Sequence, residues 1–348
     1  MRIDPKADGV AASAGTAPLD RYGRGLRDLR ISVIDRCNFR CPYCMPAERF
    51  GGAAAFLPRR DWLAPAAIEQ LARAFVALGV RKLRLTGGEP LLRPELPEII
   101  ARLSAIDGVE DIALTSNGAL LADQAAALRA AGLQRITVSL DALDPASFQR
   151  MSGGYGDVAG VLAGIEAARA AGFAGIKVNA MIQRGCNEDQ VLPLAEHFRG
   201  SPIVLRFIEY MDVGSCNGWR RDQVVTAAEI RTVISAQHPL CALPATVEGE
   251  VARRYAYQDG GGEIGFVGSV SEPFCGDCNR ARISADGRLY TCLFASTGTD
   301  LRPWLDQPGS LLQNLSSLWR ERSDRYSEQR AESERQARSR IEMFRMGG

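Results

Sequence analysis

Asp35-Arg36-Cys37-Asn38-Phe39-Arg40-Cys41-Pro42-Tyr43-Cys44-Met45-Pro46 follows directly on a mostly apolar, β-branched run, Ile31 to Ile34. Three cysteines stand at spacing C-x3-C-x2-C on a segment that Pro42 and Pro46 keep irregular, as a loop wrapped around a bulky group must be. Four thiolates would close a tetrahedral zinc site or a complete iron–sulfur cage. Three thiolates with no histidine nearby leave a cubane one ligand short, and its open iron can bind a substrate. The bland alternative, a loop with three unrelated buried thiols, leaves the spacing unexplained.

Working outward from this loop, short strand-like runs alternate with helical ones. Strands are expected at 30–34, 82–86, 111–115, 135–140, 175–182 and 203–211. Between them lie Ala- and Leu-rich stretches of helical period, 65–79, 119–131 and 158–171, several ending at a glycine (Gly79, Gly132, Gly172) as C-caps do. Strand–helix alternation implies right-handed βαβ units and a parallel sheet. Six units are visible before the pattern stops near Met211, so the fold class is α/β: an open partial (βα)6 TIM-like barrel. A helix at 227–237, short strands with a turn at Gly260-Gly261-Gly262, and a helical end beyond Leu301 form a C-terminal α+β domain that closes it. The expected division is a disordered segment at 1–20, the barrel at 21–222 and the C-terminal domain at 223–348.

Buried parallel strands normally read as apolar runs. Here polar residues recur at period two: Arg84 and Thr86, Thr115 and Asn117, Thr137, Ser139 and Asp141, Lys177 and Asn179. That period puts each set on one strand face, and if those faces line the lumen, the barrel holds a wet, polar site. The alternative is that they face outward onto helix ends. Only Lys6, Lys82 and Lys177 are lysines among 42 basic residues, so Lys177 in an apolar strand suggests a point charge for an anion.

Length and charge bound the rest. The chain has 348 residues, room for a large core, and a net charge of +1, which argues for neither nucleic acid nor an anionic membrane. No run long and apolar enough to span a bilayer and no apolar signal core is visible, so a cytoplasmic protein is expected. Nine cysteines, six of them in two groups, point to metal sites in a reducing compartment. The second group is Cys275-x2-Cys278-x13-Cys292, again three thiols with no fourth ligand nearby. Remote Cys186, Cys216 or Cys241 could complete a four-thiolate zinc site there; otherwise they are ordinary buried thiols.

The cysteine loop, with an aromatic at Tyr43 before its third thiol, resembles the signature of the radical S-adenosylmethionine (SAM) superfamily. From about Arg21 to Gly348 the chain is similar to one family within it, the GTP 3',8-cyclases. The resemblance implies a [4Fe–4S] cluster on Cys37, Cys41 and Cys44, with SAM contacted by Tyr43, the backbone of Gly87, Gly88 and Glu89, Ser139 and Met211. Leu85-Thr86-Gly87-Gly88-Glu89-Pro90 would be only a turn if it stood alone, and Met211 alone is more often core.

It further implies a second [4Fe–4S] cluster on Cys275, Cys278 and Cys292 facing the purine, and a GTP site formed by Arg30, Arg84, Thr115, Lys177, Arg280 and Arg282. Arginine forks suit triphosphate oxygens. Arg280, Arg282, Lys177, Gly347 and Gly348 carry catalysis by the same likeness, with the Gly347-Gly348 tail entering the site. The segment from Arg320 to Arg340 reads by default as a solvated charged helix. The implied reaction converts GTP to 3',8-cyclo-7,8-dihydro-GTP, the first step of molybdenum cofactor biosynthesis. Implied partners are flavodoxin or ferredoxin as electron donor, cyclic pyranopterin monophosphate synthase as the next enzyme, and a second copy in a homodimer. Two other readings remain open: a peptide-maturase type of radical SAM enzyme, and a non-enzymatic zinc scaffold.

Overall fold

Six parallel strands in chain order carry the barrel: β1 (Asp28–Ser32), β2 (Lys82–Thr86), β3 (Asp111–Ser116), β4 (Arg135–Ser139), β5 (Lys177–Ile182) and β6 (Val204–Glu209). The structure is a computed structural model, and it describes residues 17–52, 56–247, 249–330 and 340–347. Helices α1 (Pro65–Ala77), α2 (Leu96–Ser104), α3 (Leu121–Ala130), α4 (Pro145–Ser152), α5 (Val158–Ala170) and α6 (Val191–Phe198) connect successive strands from β1 to β6. Gly79, Gly132 and Gly172 follow α1, α3 and α5 with positive φ, as the sequence predicts.

Along each strand one parity is apolar and buried, for example Leu29 and Ile31, Leu83 and Leu85, Ile136 and Val138. These side chains pack into one continuous core with those of the helices, each contributing roughly 1.5–3 kcal/mol by leaving water. The other parity holds the polar set. Register aligns it across strands: Arg30 sits between Arg282 and Arg84, Thr137 between Thr115 and Lys177, and Asn179 beside Arg206. The polar parity therefore shares one sheet face, and the barrel is open, as read from the alternation.

The chain beyond α7 (Ala227–Ser235) extends that same sheet from both edges. β9 (Glu263–Val267) adds parallel to β6, followed antiparallel by β8 (Arg253–Tyr257) and β7 (Leu240–Leu243). On the far side β10 (Arg280–Ile283) adds parallel to β1, followed by β11 (Arg288–Tyr290) and β12 (Thr299–Asp300). The result is one twelve-stranded sheet whose order runs from β12 to β7.

Two expectations are corrected. Within the lead-in expected at 1–20, residues 1–16 lie outside the described residues, but Leu19 bridges to Gly25 and Asp20 is buried. The charged stretch after Arg320 is not a solvated helix throughout. α8 (Pro308–Glu321) stops there, and Arg322 and Arg330 are buried because each meets a buried carboxylate, Asp20 and Asp212 respectively. Residues 331–339 of that expected helix lie outside the described residues. No helix among the described residues is long and apolar enough to cross a membrane.

Candidate active site

The cysteine loop leaves the C-terminal end of β1 and is stitched to the turn after β2. Val33 N–H donates to the Thr86 carbonyl (2.9 Å), Gly88 N–H to Ile34 (2.8 Å) and Glu89 N–H to Arg36 (2.8 Å). A Cβ on Gly88 would lie 2.1 Å from the Arg36 carbonyl oxygen, and one on Gly87, whose φ is +153°, 2.3 Å from that of Ile34. The two glycines thus admit the cysteine loop itself, a nearer cause than the ligand approach expected of them. The Glu89 carboxylate is buried and accepts from Leu91 N–H, Ser116 Oγ and Asn117 N–H, and burial pushes its carboxyl up to about 7.

Cys37, Cys41 and Cys44 are half-buried. Burial raises the Cys37 thiol to about 11 and drives Cys41 and Cys44 up as well, Cys41 further through Asp141 and Cys37, and Cys44 further through Cys41 and Cys37. Three mutually repelling thiolates in a low-dielectric loop fit a cationic iron centre, which would offset their charge. Among the described residues no three His, Cys, Asp or Glu side chains converge as on a single ion; a cubane's thiolates bind different irons and stand further apart. Tyr43 donates to Asp141 Oδ2 (2.6 Å), whose other oxygen accepts Met181 N–H (2.8 Å). Asn117 Nδ2 faces Cys37 Sγ (3.9 Å) and donates to Asn38 (2.7 Å).

A cavity of about 1040 Å³ is lined by Arg30, Arg84, Thr115, Lys177, Met211, Arg280 and Arg282 together with Cys275, Cys278 and Cys292. Ligand pockets commonly span roughly 300–1,000 Å³, so a nucleotide fits with space to spare. Cys278 precedes β10 and Cys37 follows β1, and these strands are parallel with Asp28 beside Arg280. The two thiol trios therefore lie at opposite ends of the same strands. Ser139, on β4 beside Asn179 of β5, stands at the end nearer the first trio.

The cavity wall is strongly cationic. Burial, then Arg282, Arg280 and Arg84, lower Arg30; burial lowers Arg84; burial and Arg280 bring Arg282 down to about 10. Lys177 is brought down to about 8 by burial and then by Arg206. The Nε atoms of Arg30, Arg84, Arg280 and Arg282 are buried with no partner among the described residues. Buried unpaired donors are costly, and a polyanion would satisfy them. At Cys278 burial is outweighed by Arg280 and Arg322, which pull the thiol down to about 6.

Sequence reasoning missed Arg206, Arg135 and Lys82, which also line the cavity. Arg206 was findable: it stands at the inward parity of β6 and donates to Asn179 Oδ1 (3.0 Å). Cys241, expected to be buried, is exposed because it sits on the outermost strand β7. Cys216 is half-buried and contacts Glu342 Oε2 (2.9 Å).

The tail reaches the site. Phe344, in the short helix α9 (Met343–Met346), is buried against Phe50 and Phe56, and Met343 lines the cavity. Gly347 has φ +70°, and a Cβ there would lie 2.0 Å from Thr86 Cγ2. Gly348 lies outside the described residues.

Residues 31–198 match the family model of the radical SAM superfamily, and 203–328 that of molybdenum cofactor synthesis C. The chain is 61% identical over 335 residues to a GTP 3',8-cyclase of Xanthomonas axonopodis pv. citri, covering 96% of this chain and all of the relative. It is 52% identical to one of Acidothermus cellulolyticus, over 91% of this chain and 90% of the relative. Among solved structures, Streptococcus suis SuiB bound to S-adenosylmethionine matches in fold with a TM-score of 0.58 at 14% identity, covering 84% of this chain and 68% of that one.

Proposed function

The chain belongs to the GTP 3',8-cyclase family, and on that premise we propose how its own residues divide the work. It is a radical SAM lyase that converts GTP to 3',8-cyclo-7,8-dihydro-GTP, the first step of molybdenum cofactor biosynthesis. Membership sets aside the maturase and zinc-scaffold readings. Cys37, Cys41 and Cys44 would hold the SAM cluster, with Tyr43, the Gly87–Glu89 backbone, Ser139 and Met211 around SAM. Cys275, Cys278 and Cys292, which line the cavity, would hold the second [4Fe–4S] cluster and let it take part in placing the purine. The SAM cluster supplies, when loaded, reductive cleavage of SAM and so the oxidising power for hydrogen abstraction at C3' of GTP.

The protein's contribution is placement and charge. Arg30, Arg84, Lys177, Arg280 and Arg282 would take the triphosphate, and Thr115, which accepts from Arg84 Nη1 at 3.1 Å, would hold that guanidinium in line. Arg280 also lies 5.1 Å from the Phe274 ring, which restricts its swing. Gly347 and Gly348 would close the SAM end without placing a side chain there. The observation that carries this reading is the set of buried guanidinium Nε atoms without partners around one cavity. We further propose that the enzyme works in the cytoplasm, takes electrons from a flavodoxin or ferredoxin, passes product to cyclic pyranopterin monophosphate synthase and pairs as a homodimer. The division at 21–222 and 223–348 is kept as a functional one, SAM chemistry in the first part and purine placement in the second.

GTP binding by calorimetry tests the site. Lys177→Ala and Arg280→Ala each truncate a hydrogen bond to a charged group, at a cost on the order of 1.5–3 kcal/mol, roughly tenfold or more in affinity. Because Lys177 is held down at about 8, its ammonium is present below that pH and lost above it. Wild-type affinity should weaken as pH rises through about 8, and Lys177→Arg should flatten that dependence. Unchanged affinity in both alanine variants would move the triphosphate out of the lumen.

A further inference from the structure

Behind the cavity, the backbone that carries the second cysteine trio is gripped by two buried arginines from distant parts of the chain. Arg24 Nη1 donates to the Cys275 carbonyl (2.6 Å) and to that of Asp324 (3.0 Å). Arg322 Nη1 donates to the Cys278 carbonyl (2.8 Å), and its Nε to that of Thr291 (3.1 Å), the residue before Cys292. Asp20 joins the two: its Oδ2 accepts from Arg24 Nε (2.6 Å) and from Arg322 Nη1 (3.1 Å), while its Oδ1 accepts the N–H groups of Tyr22 and Arg24, each at 2.9 Å. The three side chains are 0–4% exposed. Trp319 locks the pair from behind, donating Nε1 to the Arg24 carbonyl (2.9 Å) and lying 4.6 Å beneath the Arg322 guanidinium.

We propose that Asp20, Arg24 and Arg322 are positioning residues for the second cluster, holding all three cysteine-bearing segments by their carbonyls and setting the charge around them. The proposal rests on the second-cluster reading above. The loops at 275–278 and 291–292 have little regular structure of their own. A planar guanidinium can serve several acceptors in fixed directions, which a lysine cannot. Partners of this kind orient metal ligands and tune the metal's potential. Both arginines also line the cavity, so their charge is felt by the ligands as well as by the fold. Asp20 offsets part of that charge and keeps both guanidinium groups in register.

The test uses the full chain reconstituted anaerobically, with iron and acid-labile sulfide counted and each cluster's potential followed by electron paramagnetic resonance during redox titration. The unsubstituted protein should hold two clusters. Arg322→Gln removes a cation and its carbonyl contacts; it should lose the second cluster selectively, or hold it at lower potential. Asp20→Asn removes the counter-charge with little change of shape and should shift the second cluster the opposite way. A tenfold change in the oxidised-to-reduced ratio corresponds to about 59 mV for one electron. A merely structural role would lower the melting temperature without shifts of opposite sign. If Arg322→Gln does not fold, Asp20→Asn decides alone. Two clusters at unshifted potentials in the folded variants, or loss of both clusters together, would overturn the clamp. A single cluster in the unsubstituted protein would instead refute the second-cluster reading, whatever the variants do.

Discussion

Cys41→Ala is expected to abolish 5'-deoxyadenosine formation, and with it all cyclised product. Cys41 organises its loop through its carbonyl, which accepts from Cys44 N–H (2.9 Å) and Met45 N–H (2.8 Å). Alanine keeps that carbonyl, and the loop remains pinned by Ile34, Arg36, Gly88 and Glu89. What disappears is one of the three thiols of the C-x3-C-x2-C loop; the neighbouring Cys216, whose Sγ lies 3.8 Å from the Cys44 carbonyl, is engaged by Glu342 instead. Two thiolates do not hold a cubane firmly, so iron and sulfide should fall by one cluster while the fold persists. Chromatography of the reaction with SAM and a reductant measures the outcome. The exposed Cys241 serves as control, since Cys241→Ala should leave activity unchanged. Deoxyadenosine at the parent rate in the Cys41 variant would remove the first trio from SAM chemistry.

Deleting Gly347 and Gly348 should leave SAM cleavage in place and cut cyclised product on the order of a hundredfold, the scale of a misplaced reacting group. Gly347 meets the Thr86 side chain at a distance that leaves no room for a Cβ, and its positive φ disfavours other residues. The tail is seated before that point by strong contacts. Arg340 pairs with the buried Asp212 (2.9 Å), Glu342 accepts from Ser215 Oγ (2.7 Å), and Phe344 and Met346 are buried. Removing the last two residues therefore spares the anchor while taking away the contact of Gly347 with Thr86. Gly347→Val should behave like the deletion, since its side chain must displace either Thr86 or the tail. Full cyclase activity in the truncated enzyme would return the tail to a frayed end.

Where local chemistry and strand period decide the structure, the residues could be read directly. The spacing of Cys37, Cys41 and Cys44, the inward parity of Arg84, Thr115 and Lys177, and the six βα units all follow from patterns within a few residues of one another. What could not be read depends on pairing over hundreds of residues. Nothing near Arg280 says that β10 lies beside β1, yet that pairing sets Arg282 next to Arg30. Arg322 and Arg330 look solvated within a charged run until the buried carboxylates of Asp20 and Asp212 are found across the fold. At Gly87 and Gly88 the sequence alone suggests a turn or a ligand approach; that the Ile34 and Arg36 carbonyls lie closest to them becomes visible only once β1 and β2 pair. Arg206 shows the opposite failure: its parity was legible, but one arginine among many carries little signal.

The central claim is that two three-thiol centres at opposite ends of the same strands, the second of them lining the cationic cavity, have separate tasks. The measurement that tests it most directly is a paired assay of deoxyadenosine and cyclised product in Cys278→Ala, reconstituted anaerobically and checked for fold. With SAM cleavage assigned by the proposal to the Cys37 end of the strands, the variant should still form deoxyadenosine, uncoupled from GTP, while cyclised product falls below detection. Loss of deoxyadenosine as complete as in Cys41→Ala, or cyclised product at the parent level, would contradict the division of labour.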